Sequence, residues 1–472
     1  MPAVRRQRRC PRTLFQDLPI DILSPILSHL DNRRDWHSCS LVNKIFNEIS
    51  TPYLYMKLDS RIISKGIVYH PSSTLLLRPH LAQYVHKVTE TGAVHRGYPD
   101  ITRDTLTSLP LCTNLRSMTW IDDSPATDST LLKFLDVVRK LPLRELTIRT
   151  HSDLGETVWS QLVTLTGLQK VSIWCMEGPP RVLQGWSEPL GTTLTHLELG
   201  RCAGVPPTIL ITVLSQLPLL QDLRLKGAPA SAIATILSFL PNLRSLDTEY
   251  HSTGNSSYRR AVVSPTPTSG DGLQSLPLPV LRHLTLRTSS IDNLGPIRLW
   301  GWIQDIVPRA GLETFRLLAF SINGDSGIPR MFILDLASKH SASLKHFMVG
   351  DSYLTLMDIE CLCSKFPMLE TLVCSVANSD VPSIVEAIAT AKNLQTLKLQ
   401  VRGHPMGFHH RQSFSRQDAA DIMLRKENPK LRTVAIGRSQ YTGRWVLKVG
   451  HNDKPKIHFE VTADVVDDTW HA

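Results

Sequence analysis

Two short strings in the sequence have residue types that suit a nucleophilic serine. Residues 324–327 read Gly-Asp-Ser-Gly, and residues 350–353 read Gly-Asp-Ser-Tyr. A serine becomes a nucleophile only when a histidine, itself oriented by a carboxylate, lies within hydrogen-bond reach. Neither string has such a histidine in a recognisable context, and both lie in a stretch that repeats with a leucine period. We therefore interpret Ser326 and Ser352 as turn residues.

Histidines and cysteines are a second possible source of chemistry, as metal ligands. His404, His409 and His410 are close in sequence, but no nearby cysteine or aspartate completes a tetrahedral set. Cys361 and Cys363 are separated by one residue, which is not the spacing of zinc or redox pairs. The sequence has no Walker A string, dinucleotide fingerprint or His-Glu-x-x-His string. We expect no catalytic residue, metal or cofactor, and therefore a protein that is not itself an enzyme.

The composition and the charge distribution favour a folded protein of a reducing compartment. The chain has 472 residues, of which 42% are hydrophobic and 20% are charged, as in folded domains. Eight cysteines without a secretory signal favour free thiols, so we expect a cytoplasmic or nuclear location, or both. Prolines interrupt the uncharged stretch 203–221, and we expect no membrane contact.

The N-terminal residues 1–12 are strongly basic. Five arginines in this segment supply five of the ten net positive charges of the chain. We predict a disordered tail that either binds a polyanion, or directs nuclear import, or only solubilises the chain.

A leucine-based repeat fills most of the chain and must position any functional residue. Its template is Leu-x-x-Φ-x-Φ, where Φ is apolar, and a weak copy begins at Leu81. Twelve clear copies begin at Leu115, Leu143, Leu168, Leu194, Leu220, Leu243, Leu281, Leu312, Leu344, Leu369, Leu394 and Leu431. The successive spacings are 28, 25, 26, 26, 23, 38, 31, 32, 25, 25 and 37 residues. Seven of these fall within the range of about 20 to 29 residues that is typical of leucine-rich repeats.

Each copy predicts one short strand, and the intervals between the copies predict helices. A single strand of this kind buries its leucines only against its neighbours, so the repeats must stack. We predict an α/β fold, a leucine-rich-repeat solenoid or horseshoe, over residues 111–440. The expected helices include Ser129–Leu141, Thr208–Leu217, Ala230–Leu240, Leu354–Phe366 and Pro382–Ala391. Only Cys202 matches the asparagine or cysteine usual at the ninth repeat position, so we expect irregular curvature.

The longer spacings and the ends of the array predict irregular segments. We expect residues 61–110 to be a bridging region with the first irregular repeat. The Ser-, Thr-, Pro- and Gly-rich residues 251–279 predict a disordered insertion, and the basic residues 401–418 a loop. Two alternating segments within residues 441–472 predict a hairpin that caps the last repeat, followed by a loose tail.

Alternate strand positions predict a recognition surface on the concave side of the array. Successive side chains of a strand point to opposite faces. The predicted substrate-binding residues are Arg149, Trp174, Arg224, Lys226, Arg287 and Arg316. Arginines from neighbouring repeats suit an acidic or phosphorylated peptide. The alternative, which we favour, is that these cations form cross-strand ion pairs with Asp247 and Glu249. Such pairing leaves little net electrostatic field at this surface.

Residues 14–59 carry a helical signal that is separate from the repeat. Apolar residues recur with helical spacing from Leu18 to Leu30 and again from Cys39 to Ile49. A segment this short cannot bury two apolar helical faces by itself, so we expect it to complete its core against a partner chain. Because Pro25 interrupts the first pattern, we expect Leu18–Leu23 to form either a separate turn or a kinked lead-in to the helix.

The same segment resembles the F-box of fungal F-box proteins. The resemblance is carried by Leu18-Pro19, Ile22-Leu23, Ile26-Leu27, Leu30, the run Cys39–Lys44 and the run Pro52–Tyr55. It implies a small all-α domain over residues 13–60 that docks on a Skp-family adaptor, which links it to a cullin. It places the adaptor contacts on Leu18, Pro19, Ile22, Leu23, Ile26, Leu27, Leu41, Val42 and Phe46.

The resemblance and the repeat together predict the substrate-recognition subunit of a Skp–cullin–F-box ubiquitin ligase. In this hypothesis the repeats bind a target protein for ubiquitination. Two alternatives stay open. One is a binding scaffold that degrades nothing, and the other is a nucleic-acid-associated protein that acts through the basic tail.

Overall fold

The structure is a computed structural model. It describes residues 19–59, 61–63, 67–125, 130–178, 181–250, 278–288, 295–319, 327–377, 380–402, 414–449 and 455–464. The chain divides into two compact units, Met1–Leu168 and Gln169–Ala472. Within the described ranges, no helix has the length and apolar character needed to span a bilayer.

Three helices open the first unit. They are α1 (Ile20–Ser28), α2 (Arg33–Ser40) and α3 (Lys44–Tyr55). Helix α1 runs through Pro25, so the first of the two expectations, a separate turn ending at Leu23, was wrong. Pro25 removes one N–H whose acceptor would be the Asp21 carbonyl, and Asp21 is exposed, so water can solvate that oxygen.

The rest of the first unit is a parallel sheet with helices between its strands. The strand order is β1-β4-β5-β6, and β2 and β3 form a separate antiparallel pair. The strands are β1 (Lys57–Asp59), β2 (Arg61–Ile63), β3 (Ile67–Tyr69), β4 (Lys87–Thr91), β5 (Ser117–Asp122) and β6 (Glu145–Thr150). The helices are α4 (Ser72–Leu77), α5 (Gly92–Gly97), α6 (Pro99–Ser108), α7 (Thr130–Val138) and α8 (Gly155–Leu162), with 3₁₀ turns at Pro79–Tyr84 and Leu109–Leu111.

The core of this sheet begins earlier than the repeat pattern indicates. Leu58 pairs with Val88, Val88 with Met118, and Met118 with Leu146, and all four are buried. The strand of the weak copy starts six residues after Leu81 instead of two. The sheet therefore starts directly after α3.

The second unit repeats one strand and one helix along most of its length. Its strands are β7 (Lys170–Cys175), β8 (His196–Gly200), β9 (Asp222–Leu225), β10 (Ser245–Tyr250), β11 (His283–Thr288), β12 (Thr314–Ala319), β13 (His346–Leu354), β14 (Thr371–Ala377), β15 (Thr396–Arg402), β16 (Thr433–Ile436), β17 (Ser439–Val449) and β18 (Pro455–Asp464). Strands β7 to β16 are parallel and ordered as in the sequence. Strands β17 and β18 continue the sheet as an antiparallel hairpin.

Helices lie between the strands of the second unit. They are α9 (Ser187–Leu190), α10 (Pro207–Ser215), α11 (Ala230–Ser238), α12 (Gly295–Ile306), α13 (Arg330–His340), α14 (Leu356–Lys365), α15 (Val381–Ala387) and α16 (Arg416–Met423). Helix α16 begins inside residues 401–418, so the last part of that segment is not a loop as expected. Its start is fixed by a capping box, in which Ser415 and Asp418 exchange hydrogen bonds.

The leucine pattern determines the register of the strands. In all twelve clear copies the strand begins two residues after the leading leucine, as Ser117 follows Leu115 and Thr433 follows Leu431. The predicted α/β repeat architecture, preceded by a helical domain, is confirmed. The disordered character expected for residues 1–12 and for most of 251–279 falls outside the described residues, and the horseshoe curvature stays a prediction.

Candidate functional site

Helix α1 has two apolar faces, and only one of them packs inside the chain. Leu23 and Leu27 are four residues apart and share the inner face, where both are buried. The indole N–H of Trp36 donates to the Leu27 carbonyl oxygen at 3.0 Å, and the Trp36 ring stacks on Tyr53 with centroids 5.7 Å apart. The Tyr53 hydroxyl lies 3.0 Å from the Ser24 side-chain oxygen. These contacts tie α1 to α2 and α3.

The outer face of α1 and the turn after α2 expose large aliphatic side chains. Ile22 and Ile26 are 40% and 51% exposed, and Leu41 and Val42 are 72% and 61% exposed. Ile45, at the start of α3, is also exposed. Single exposed aliphatic residues are ordinary, but five within residues 22–45 indicate a surface that another molecule covers.

The turn that presents Leu41 and Val42 is held by two asparagines. The Asn43 side chain accepts a hydrogen bond from the Phe46 amide at 2.9 Å and caps α3. The Asn47 side chain donates to the Ser40 carbonyl oxygen at 3.1 Å. Hydrogen bonds of Asn43 and Asn47 therefore fix the conformation of the turn.

The structure sorts the predicted adaptor contacts into different groups. Six of them are exposed or half-buried: Pro19, Ile22, Ile26, Leu41 and Val42 are exposed, and Phe46 is half-buried. Leu23 and Leu27 are buried within the chain, and a direct adaptor contact of these two residues stays a prediction. Leu18 lies outside the described residues.

A cleft of about 750 Å³ lies within the first unit and was not predicted from the sequence. It is lined by α2, α3 and the exposed faces of β1, β4, β5 and β6. Ion pairs occur at its edge, with Arg33 Nη1 3.1 Å from Asp59 Oδ1 and Lys87 Nζ 3.7 Å from Glu145 Oε2. Its strand face carries the hydroxyl groups of Thr89, Ser117, Thr119 and Thr147. The cleft therefore offers hydrogen-bonding groups beside apolar side chains such as Trp36 and Leu58, a combination that suits a peptide.

A second feature that the sequence did not predict is a buried carboxylate in β4. Glu90 lies opposite Trp120, the last apolar residue of the Leu115 copy, and its side chain is only 2% exposed. Its Oε2 atom lies 2.8 Å from His95 Nε2 and 3.1 Å from His70 Nε2. His70 Nδ1 accepts a hydrogen bond from the Ser72 amide, so Nε2 carries the proton and donates to Glu90.

The surroundings of Glu90 favour its ionised form. Burial raises the pKa of Glu90, but the hydrogen bonds and charges of His70 and His95 outweigh this effect, and the pKa lies below its ordinary value. The His95 ring stacks on Trp120 with centroids 5.7 Å apart. The cluster is therefore a polar core element of the first repeats and faces no solvent-exposed surface.

The predicted substrate-binding residues of the second unit lie together on the exposed face of its first strands. Arg224 pairs in register with Asp247, and Asp247 pairs with Thr285, which is in turn opposite Arg316. The intervening residues Leu223 and Leu225 are buried, so the strands alternate as the template predicts. Arg149 belongs to the first unit, where its Nε atom lies 3.0 Å from Asp123 Oδ1.

The cations of this surface are balanced by carboxylates. Arg287 forms an ion pair with Asp247 on the neighbouring strand, as the alternative interpretation expected. Arg224 Nε lies 3.3 Å from Asp222 Oδ1 on its own strand. Burial and the nearby Arg316 and Arg224 lower the pKa of Arg287. Four carboxylates, Glu198, Asp222, Asp247 and Glu249, accompany the four cations Arg224, Lys226, Arg287 and Arg316, so the surface is mixed in charge.

An aromatic contact anchors one end of this surface. Lys226 Nζ lies 4.1 Å from the centroid of the Trp174 ring, a cation–π distance. Trp174 is opposite Gly200, and a side chain there would meet the indole at 2.5 Å. Glycine at position 200 therefore allows the ring to lie flat across β8. Burial, followed by the charge of Arg287, lowers the pKa of Lys226.

Of the candidate hydrolase residues, the described part of the chain includes Ser352, which lies in β13 and not in the turn predicted from the sequence. Ser352 is 1% exposed, and its hydroxyl has no hydrogen-bond partner within the described chain. Ser326 and the histidines at 404, 409 and 410 lie outside the described residues. Gly327 makes a single bridge to Tyr353 in β13.

A comparison with protein families decides the nature of the N-terminal helices. A family model described as F-box-like matches residues 15–61. The N-terminal segment is an F-box-like domain. Its resemblance to the F-box, noted from the sequence, is confirmed, and the chain combines the F-box-like domain with an α/β repeat array. This combination supports a receptor role in ubiquitin ligation, with an adaptor-type partner.

Comparisons with other proteins give distant likenesses. The crystal structure of the Rad7 and Elc1 complex in yeast is similar with a TM-score of 0.39 and 15% identity, over 83% of this chain and 95% of that chain. The crystal structure of a TLR13–ssRNA13 complex is similar with a TM-score of 0.32 and 13% identity, over 69% of this chain and 56% of that chain. No curated protein matches the chain.

Proposed function

We propose that this chain is the substrate-recognition subunit of a Skp–cullin–F-box ubiquitin ligase. In this proposal the F-box-like domain docks on a Skp-family adaptor, which connects it to a cullin, and the repeats bind a target protein. The chain would act in the cytoplasm, the nucleus or both.

The observation that carries the proposal is the division of the apolar residues of the F-box-like domain. Leu23, Leu27 and Trp36 complete the internal core, whereas Ile22 and Ile26 point away from it. A domain that needed only to fold would not require aliphatic side chains on both faces of α1. Burying an aliphatic side chain contributes about 1.5–3 kcal/mol, so the outer residues can supply much of a docking energy.

The repeats supply exposed strand surfaces in each unit for the target. In the second unit the surface around Trp174, Arg224 and Arg287 combines an aromatic ring with arginines, residue types that are enriched at protein interfaces. In the first unit the hydroxyl-lined cleft beside α2 and α3 offers hydrogen bonds to an extended peptide. Neither surface has a group arranged for bond chemistry. The mechanism is therefore proximity, which raises the effective concentration of target lysines near the ubiquitin-carrying enzyme.

Binding of the purified full-length chain to a purified Skp-family adaptor tests the first step. Val42→Asp places a charge in the exposed turn between α2 and α3 and should weaken binding by at least about tenfold. Leu77→Asp is a matched control, because Leu77 is 84% exposed on α4, outside the F-box-like domain. It should leave the affinity unchanged.

The outcomes separate the ligase from its alternatives. An affinity that is absent in the parent chain, or that Val42→Asp leaves unchanged, contradicts adaptor docking through this turn. A chain that binds adaptor and cullin but supports no ubiquitin transfer to its captured target is a scaffold, the alternative function. Proteins that accumulate in cells expressing only Val42→Asp are the candidate targets.

A further inference from the structure

The C-terminal hairpin extends beyond the strand that it caps. Strand β17 pairs with β16 only through Ser439–Thr442. Strands β17 and β18 pair with each other much further, as far as Val449 opposite Pro455. Residues 443–449 and 455–461 therefore form a two-stranded ribbon, and no third strand lies beside it within the described chain. Two-stranded ribbons are marginally stable in water unless a further strand or a packing surface covers them.

One face of this ribbon continues the hydrophobic core outward. Its inner end is covered, because Val461 is buried and Met423 of α16 lies against Gly443. The Trp445 and Phe459 rings then meet edge to face, with centroids 4.9 Å apart. At the outer end, three large side chains lie open to solvent, with Trp445, Leu447 and Ile457 exposed by 55%, 66% and 67%.

The opposite face of the ribbon carries an excess of positive charge. Lys448 lies directly opposite Lys456, a pairing of like charges that destabilises a sheet. Glu460 Oε2 lies 3.8 Å from Arg444 Nη2, and Glu460 Oε1 lies 3.8 Å from Lys448 Nζ. One carboxylate thus serves two cations, and Lys456 makes no ion pair with any described residue.

The outer edge of β18 adds a third type of binding group. It is ten residues long, and β17 occupies only its inner edge. Along such an edge, alternate backbone N–H and C=O groups point outward and can hydrogen-bond an added strand. Edge pairing with an incoming peptide is an established mode of recognition in proteins generally.

We propose that the outer edge of β18 binds an extended segment of a partner protein as an added strand, with alternating apolar and acidic side chains. The alternation follows from the two faces, since the apolar side chains would continue the Trp445–Ile457 face and the acidic ones would neutralise Lys456 and Lys448. A helix would cover the apolar face and leave the backbone edge and the cations unused. A second copy of this chain paired through β18 would add more lysines to the same face.

A peptide-binding experiment with the full-length chain tests the proposal. The probe is a fluorescein-labelled octapeptide of alternating valine and glutamate, and fluorescence anisotropy reports its binding. Ile457→Asp on the apolar face and Lys456→Glu on the basic face should each weaken binding by at least about tenfold. Lys392→Glu, an exposed lysine at the end of another repeat, makes the same charge change and should have no effect.

Three peptide controls identify the mode of binding. The same residues in block order, four valines followed by four glutamates, should bind at least about tenfold more weakly, because their side chains cannot match both faces. Valine–lysine alternation should not bind. N-methylation of the peptide at either its odd-numbered or its even-numbered residues should abolish binding in only one of the two cases. The reason is that only one of these two sets of backbone N–H groups faces β18.

The opposite results overturn the proposal. Equal binding of the alternating and block peptides would show general electrostatic attraction instead of an added strand. A dimer in sedimentation that Ile457→Asp dissociates, with no peptide binding, would assign the edge to a second copy. The peptide should bind the Val42→Asp variant normally, so failure at the hairpin and failure of adaptor docking are measured separately.

Discussion

Replacing the buried Glu90 by leucine tests whether its contacts determine the stability of the first repeats. Leucine is the residue type that the repeat template expects at this position, so its shape and hydrophobicity alone favour the change. The variant nevertheless loses the acceptor for two buried imidazole nitrogens, which lie 2.8 Å and 3.1 Å from Glu90 Oε2. Each buried polar group left without a partner costs about 1–3 kcal/mol. We expect Glu90→Leu to lower the stability of this region by about 2–6 kcal/mol.

Amide hydrogen exchange followed by mass spectrometry measures this loss locally, in peptides covering β4 and β5. Glu145→Leu is a control, because Glu145 makes a partly exposed ion pair with Lys87 that is worth about 1 kcal/mol or less. Combining Glu90→Leu with His70→Leu and His95→Phe removes the stranded nitrogens and should recover part of the lost protection, since the Ser72 amide then loses its acceptor His70 Nδ1. A loss below about 1 kcal/mol in the single variant would refute the reasoning.

The contribution of Glu90 also has a defined pH dependence. Because its folded pKa lies below the ordinary value of 4.5, the stabilisation is complete above that pH. It is lost as the pH falls through the lowered pKa of the folded state. The difference in protection between the parent and Glu90→Leu should therefore be constant from pH 7 to 5 and should shrink on further acidification.

Three further substitutions or labels have defined outcomes. Gly200→Val should displace the Trp174 ring and lower the free energy of unfolding by about 1–3 kcal/mol. Gly301→Ala is the control, because open space surrounds Gly301, and it should not lower the stability of the chain. Calorimetry measures both variants. Ser352→Ala should raise stability by up to about 1–3 kcal/mol, because it removes a buried hydroxyl without a described partner, and a loss of stability would contradict this. Burial, with the nearby charge of Glu249, raises the pKa of Cys202 to about 12. Iodoacetamide at pH 8 should therefore label this thiol only after unfolding in urea. Rapid labelling of the folded chain would disprove its burial.

The strands could be predicted because the leucine template depends on a short-range alternation. Every clear copy has its strand two residues after the leading leucine, and Arg224 alternates between the buried Leu223 and Leu225 as expected. The first strands were missed for a physical reason. Glu90 replaces an apolar residue in β4, and β1 has only three residues, so neither shows the complete pattern.

The docking surface could be predicted only in part. Ile22, Leu23, Ile26 and Leu27 are all aliphatic, so the sequence does not show which pair packs inside. The choice depends on where Trp36 and its neighbours on α3 lie, which is a tertiary property. The cross-strand pairing of Arg287 was predicted, but its partner Asp247 lies diagonally across the two strands, because the strand register places Arg287 opposite Glu249.

The matched registers of the second unit have a consequence for how this chain can change during evolution. Thr371 pairs with Thr396, which is the same position one repeat later, and every pair between β14 and β15 has the same offset of 25 residues. Duplicating or deleting one such 25-residue block in the gene would leave the remaining strands with equivalent partners. Gene rearrangement can therefore lengthen or shorten this part of the molecule without disturbing the F-box-like domain. The number of repeats is free to vary while the F-box-like domain is kept.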